Sequence, residues 1–426
     1  MADIQYFSGM PEVGVVPRAP HAGPLLNHVY EQEHGRGGFS GKVTHTYHLY
    51  PPTNWLPGET KVLDRYAPNW ESPLRPLCGL HHALAVAPAA AADVYRGMAR
   101  LVANATCAMN VVAPKKTMDY FFEHHSATMV FFVHEGGGTL ETTFGPIAYG
   151  KGDFLVIPKG VMHRFDPAPG PQYYCMYESF TADPVKSESP TTGRFLTHSA
   201  SDYRFPRSLQ TVNEGGRFEI VSKIDATYTR RVHPTHPFDV IGWRGDYLPY
   251  KFAVEDVRPL VADRSHVPPS GHTVFALPGC YICIFTVRSV EKEAMWVPFF
   301  HRNLDYCETL GYHWGDFFSA GGVVQQGMVT VHPVGLPHVP KPKALESFMA
   351  GRRADVHHEV GVMADFANPT QMSEFALGIS RPDYMDAWSP YVTDPKFAYD
   401  AARLDDVRAI AERLSGARDQ LRPPTE

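Results

Sequence analysis

The chain has 426 residues, 44% hydrophobic and 20% charged, an ordinary globular composition and enough length for two domains. A formal charge of −6 without a basic stripe argues against nucleic acid as the main partner, and no apolar run reaches the 18 residues of a membrane span. Six cysteines make no disulfide scaffold, and the opening MADIQYFSGMPEVG has neither the basic nor the apolar part of a secretory signal, so a cytoplasmic protein with reduced thiols is expected.

The 38 prolines and 35 glycines punctuate the chain often, which favours short strands and turns over long helices. In chain order, His81 and His82 follow RPLCGL and receive no role. His134 beside Glu135 reads as strand-end surface. The stretch from Thr181 to Phe195 is rich in Ser, Thr and Pro and reads as a surface connector. CYIC, Cys280 to Cys283, has metal-type spacing but lies in an apolar run with no second pair, so strand core is expected. His357, His358 and Glu359 follow the polar GRRAD and read as solvated. Leu404, Val407, Ile410 and Leu414 recur at helical spacing, giving an amphipathic C-terminal helix packed on the body or on a neighbouring subunit, and the RPPTE end is expected to be disordered.

A duplication organises the rest. GDFLVIPKGVMH, from Gly152 to His163, and GMVTVHPVGLPH, from Gly327 to His338, both obey G-x5-P-x-G-x2-H. A glycine opens a turn, a strand follows, Pro-x-Gly makes a second turn, and the histidine points inward. This resembles the second motif of the cupins, small antiparallel jelly-roll barrels, so the expected fold is mostly β: two cupin-like barrels and a C-terminal helix. The expected domains are residues 1–185, a barrel without metal; 186–390, a barrel with the metal site; and 391–426, the helix and tail.

The first cupin motif, H-x-H-x(3 or 4)-E-x6-G, separates the two halves. In the second, Glu308 and Gly315 fit its end, His301 takes the first histidine position, and Asn303 stands at the next. With His338, this offers two imidazoles and a carboxylate, the facial triad of non-haem Fe(II) oxygenases. Cys307, adjacent on the strand, faces away. In the first half Phe122 and Met129 replace the first histidine and the glutamate, leaving His124 and His163, a poor iron site.

PFDVIGWRGDYLPYKF (Pro237 to Phe252), FFHRN, GGVVQQGMVTVHPVGLPHVP and, more faintly, YEQEHGRGGFSG resemble segments of the homogentisate 1,2-dioxygenases and their shorter bacterial relatives. The resemblance implies an oligomeric enzyme, a trimer or hexamer, in which Fe(II) held by His301, Glu308 and His338 brings a dihydroxylated aromatic acid and O2 together and the ring opens. For homogentisate the product is maleylacetoacetate, a step in tyrosine breakdown. It implies catalytic roles for His266, in SHVPPS, and for His332, and substrate contacts from Tyr312 and His313. This chain departs from the family pattern after Glu308, where the loop is short and lacks the lysine that would meet the substrate carboxylate, so a different hydroxylated aromatic acid is a second expectation. A metal-dependent enzyme that uses no O2, and a non-enzymatic binding protein, stay open as rival readings.

Overall fold

The computed structural model describes residues 9–21, 28–64, 66–77, 79–85, 92–183, 198–260, 269–289, 300–317, 323–338, 340–352, 355–367 and 369–420. The protein is mostly β, as expected, and its strands form four larger sheets of four, eight, seven and six strands.

The eight-stranded sheet lies at the centre of the packing. Its strand Thr128–Glu135 is buried along nearly its whole length. Alternation sends Met129, Phe131 and Val133 into one core, with Tyr95, Phe122 and Tyr174, while Val130 and Phe132 enter a second core with Phe275, Ile282 and Val331. One sheet thus contributes to both apolar cores, which explains why this strand lacks the polar alternation of a half-exposed one.

The sequence repeat is also a structural repeat. Gly152 and Gly327 adopt φ of 85° and 86°, Gly160 and Gly335 adopt 78° and 74°, and Gly136 and Gly315 adopt 91° and 110°, left-handed values that favour glycine. The backbone bonds match as well. Gly152 N–H donates to Val133 O and Gly327 N–H to Tyr312 O, each at 2.8 Å, and Gly160 donates to His124 O where Gly335 donates to Asn303 O.

The strand pairing does not follow the expected boundary at residue 185. Gly215–Ile224 pairs with Phe121–His124, Val240–Gly245 with Val43–His48, and Tyr250–Ala253 with Asp153–Ile157, so residues 215–253 complete sheets of the first half. Conversely, His82–Leu84 joins the second half beside Val329–His332, and Gln371–Ser373 returns to pair with Ala99–Ala103. A linear composition shift marks a connector and says nothing of which edges the later strands cover.

Cys280, Cys283 and Cys307 are buried. His134 is buried rather than on the surface, and His357 is buried while Glu359 pairs with Arg288. The C-terminal helix forms over Arg403–Gln420, but Leu404, Val407, Ile410 and Leu414 are 59%, 54%, 46% and 66% exposed, so it does not pack on the body of its own chain. Among the described residues no helix is long and apolar enough to cross a membrane.

Candidate metal centre

Glu308 lies on the strand Tyr306–Gly315, which pairs with Val329–His332 on one side and Glu359–Ala367 on the other. His301 and His338 come from segments flanking that strand and meet through a two-way backbone bridge, His338 N–H to His301 O at 2.9 Å and the reverse at 3.3 Å. This bridge brings the imidazoles to ring centroids 4.4 Å apart. Donor atoms of His301, Glu308 and His338 all lie within 4.8 Å of one another. His338 Nδ1 faces Leu336 O at 3.2 Å, so the ring is held by its backbone side while Nε2 meets Glu308 Oε2 at 2.8 Å. Such a backbone partner fixes the tautomer that leaves the other nitrogen for a metal. Burial would raise the Glu308 carboxyl, but the imidazoles of His332 and His338 outweigh it and hold the group well below the carboxylate range. Two imidazoles and one ionised carboxylate suit a divalent transition metal. Asn303, at the motif's second histidine position, instead accepts the backbone N–H groups of Asp305 and Tyr306 and caps the turn into the strand.

The other expected residues divide. His332 stands directly across from Glu308, its Nδ1 3.9 Å from Oε2, too far for a hydrogen bond but close enough for electrostatic contact. Its Nε2 lies 3.3 Å from the Tyr384 hydroxyl, and desolvation drops its pKa to about 3, so the ring is neutral. Tyr312 lies behind this layer, buried, its hydroxyl 3.4 Å from Thr330 Oγ1. His313 points the other way, against Phe132 and with Nδ1 3.1 Å from that of His134, because adjacent strand residues face opposite sides. The expectation that it binds substrate is corrected accordingly. His266 lies outside the described residues.

Three groups at the site had no role assigned from sequence. His81 packs its ring 5.0 Å from that of His332 and 5.5 Å from that of His338, with Nε2 3.0 Å from Pro337 O. Asp365 faces Glu308 from the neighbouring strand, and burial, then the Glu308 charge, raise its carboxyl to about 8. Lys341 is buried with its Nζ 2.9 Å above the Trp388 ring centroid and 4.3 Å from that of Tyr384, the tyrosine that meets His332. Desolvation lowers its ammonium to about 7, and among the described residues it has no carboxylate partner. The nearest sequence signal was PHVPKP itself: a lysine three residues after the last ligand remains close to the site.

The structure is a mostly β frame that brings two histidines and one glutamate together at one point. The family described as homogentisate 1,2-dioxygenase N-terminal matches residues 77–254. A candidate dioxygenase of Saccharolobus solfataricus is 27% identical over 391 residues, 88% of this chain and 97% of that protein. Homogentisate 1,2-dioxygenases of Rhodopseudomonas palustris and Bradyrhizobium diazoefficiens are 26% and 25% identical over 64% of this chain, which spans only 63% and 64% of their length. Among solved structures, a cupin 2 barrel protein from Leptotrichia buccalis is 11% identical at a TM-score of 0.30, covering 64% of this chain and 88% of that one. The chain is thus similar to a protein named as a candidate dioxygenase over most of its length, and to homogentisate 1,2-dioxygenases over about two thirds of it.

Proposed function

We propose that the chain is an Fe(II)-dependent, ring-cleaving dioxygenase acting on a dihydroxylated aromatic acid, with homogentisate the first substrate to test. The observation that carries this reading is the convergence of His301, Glu308 and His338 on one point, with a buried cation, Lys341, close by. Iron bound by these three would serve as Lewis acid and as template for ring and O2. The chain's own groups supply the rest. Neutral His332 and the Tyr384 hydroxyl form a hydrogen-bonding pair beside the ligands, able to orient a phenolic oxygen. Trp388 and Tyr384 hold Lys341 where a substrate carboxylate would give it the partner it lacks among the described residues, taking the place of the absent loop lysine. His266 remains the proposed base. The exposed apolar stripe of the C-terminal helix supports a homo-oligomer, a trimer or hexamer, testable by light scattering.

The test is anaerobic reconstitution with Fe(II), then O2 consumption on adding homogentisate and a panel of gentisate-like and catecholic acids. Uptake with homogentisate and growth of a ring-opened chromophore is the expected result. Uptake with another acid alone would move the substrate and keep the reaction. Retained iron with no uptake across the panel would overturn the oxygenase reading in favour of a metal enzyme that does not use O2.

A further inference from the structure

We propose a second divalent-cation site, built from His21, Glu31 and His45 on the N-terminal sheet and separate from the centre at Glu308. Their donor atoms also lie within 4.8 Å of one another. Glu31 and His45 come from the adjacent strands Tyr30–Gly35 and Val43–His48. In that register Glu33 lies opposite His45, and Glu31 two residues along on the same face. His21 completes the trio from a turn, with a left-handed φ of 55° that histidine tolerates better than most residues.

The detailed geometry favours a cation over a simple ion pair. Glu31 Oε1 receives both imidazoles by the same kind of atom, His21 Nδ1 at 2.6 Å and His45 Nδ1 at 2.9 Å. The other oxygen, Oε2, accepts the His21 backbone N–H at 3.1 Å, which fixes the carboxylate so that Oε1 faces the rings. His45 Nε2 lies 3.4 Å from Glu33 Oε2. A carboxylate behind a histidine, with the opposite ring nitrogen aimed at a common point, is the arrangement that orients imidazoles on metals. Charge points the same way. The Glu31 and His45 side chains are 8% and 2% exposed, and two carboxylates, Glu31 and Glu33, face the imidazoles of His45 and His21. The nearby cation, Arg244, which pairs opposite His45, is engaged by Glu12 at 2.6 Å. The shared oxygen already gathers both imidazole nitrogens, so a divalent cation can take the place of the protons held there. Two imidazole nitrogens and one carboxylate oxygen, with an exposed side at His21, suit Zn2+ with water as fourth ligand. Binding would displace the protons between the rings and the carboxylate, and the donors, now 2.6 and 2.9 Å apart, would spread to leave room for zinc bonds of roughly 2.0–2.2 Å.

The experiment uses the full chain, stripped of metal and titrated with Zn2+ by calorimetry, with metal analysis after gel filtration. The Glu308→Gln chain isolates the proposed site, so failure of the dioxygenase reading would leave this test untouched. Glu308→Gln is expected to hold one Zn2+ per chain and to unfold at a higher temperature when zinc is added. In that background Glu31→Gln abolishes the remaining zinc, His21→Ala on its exposed turn weakens it about tenfold or more, and Glu33→Gln weakens it about tenfold. Both His21→Ala and Glu33→Gln should melt like the parent without metal. If Glu308→Gln binds no zinc, or His21→Ala and Glu31→Gln leave its zinc affinity unchanged, the trio is a proton-held cluster and the proposal is overturned.

Discussion

The two copies of the repeat share a backbone and differ in what fills the space between the motif positions. In both, the final histidine turns Nδ1 toward the carbonyl two residues back, His163 to Val161 O at 2.8 Å and His338 to Leu336 O at 3.2 Å, and sends Nε2 inward. In the second copy Nε2 meets Glu308. In the first it meets the Tyr95 hydroxyl, whose ring stacks 3.7 Å from Phe122 and whose oxygen also lies 3.6 Å from Met129 Sδ. Tyr95 therefore sits among the three motif residues of the first copy, Phe122, Met129 and His163. The remaining motif histidine, His124, is not idle. It bonds Glu178 Oε1 at 2.8 Å, and Lys223 Nζ stands 3.3 Å from His124 Nε2 and 3.6 Å from that carboxylate, with Arg100 at 2.7 Å. The frame determines where the histidines point, and the neighbours determine whether a carboxylate stands ready beside them, as at Glu308, or a tyrosine and a fixed protein cation do, as in the first copy.

The comparison can be broken first at its strongest point. Glu308→Gln should abolish iron retention by the second copy and O2 uptake with it, because the site loses its only anionic ligand; iron analysis and oxygen-electrode traces read both. Retained iron with full activity would show that the trio is not the centre. In the first copy Lys223→Met should cost about 3 kcal/mol of stability in urea denaturation, the low end for a broken buried pair, since Arg100 and His124 stay on the buried Glu178. Iron content should stay the same, and iron loss would mean that the two copies are not chemically separate. Tyr95→Phe should cost less, about 1–3 kcal/mol, by leaving His163 Nε2 without its hydroxyl.

The smallest effect concerns Lys341. Lys341→Met should raise KM for the acid substrate with little change in kcat, and a change in kcat alone would place the lysine elsewhere in the mechanism. It should also alter stability with pH. The ammonium falls to about 7 in the folded chain against an ordinary 10.5, so unfolding takes up a proton between those values. Wild-type stability therefore rises with pH across that window relative to the variant, and melting curves at pH 7 and 10 measure the difference.

Much of the second copy is legible in the sequence because its candidate ligands sit at fixed spacings that a turn and a strand enforce. His301, Glu308 and His338 emerge this way, and the matched glycine φ angles supply the physical basis. Tyr95, Glu178, Lys223, Asp365 and Asp239 carry no such signal. They reach their partners from segments distant in the chain, as Asp239 does in bonding His48 Nδ1 at 2.7 Å across 191 positions. His313 is misplaced for a simpler reason: closeness in sequence to Glu308 counts for little against the alternation that turns it to the other face. The boundary near residue 185 fails because edge pairing is decided by strands far along the chain.

That pairing has a consequence for the molecule as a whole. His82–Leu84 is lent forward to the sheet that carries the centre, and Gln371–Ser373 is lent back. Cutting the chain in the connector would therefore not release two autonomous domains. Each fragment would expose an unpaired strand edge and one bare face of a shared interior, an invitation to aggregate. The two halves are interlaced, and they should melt, and refold, as one cooperative unit.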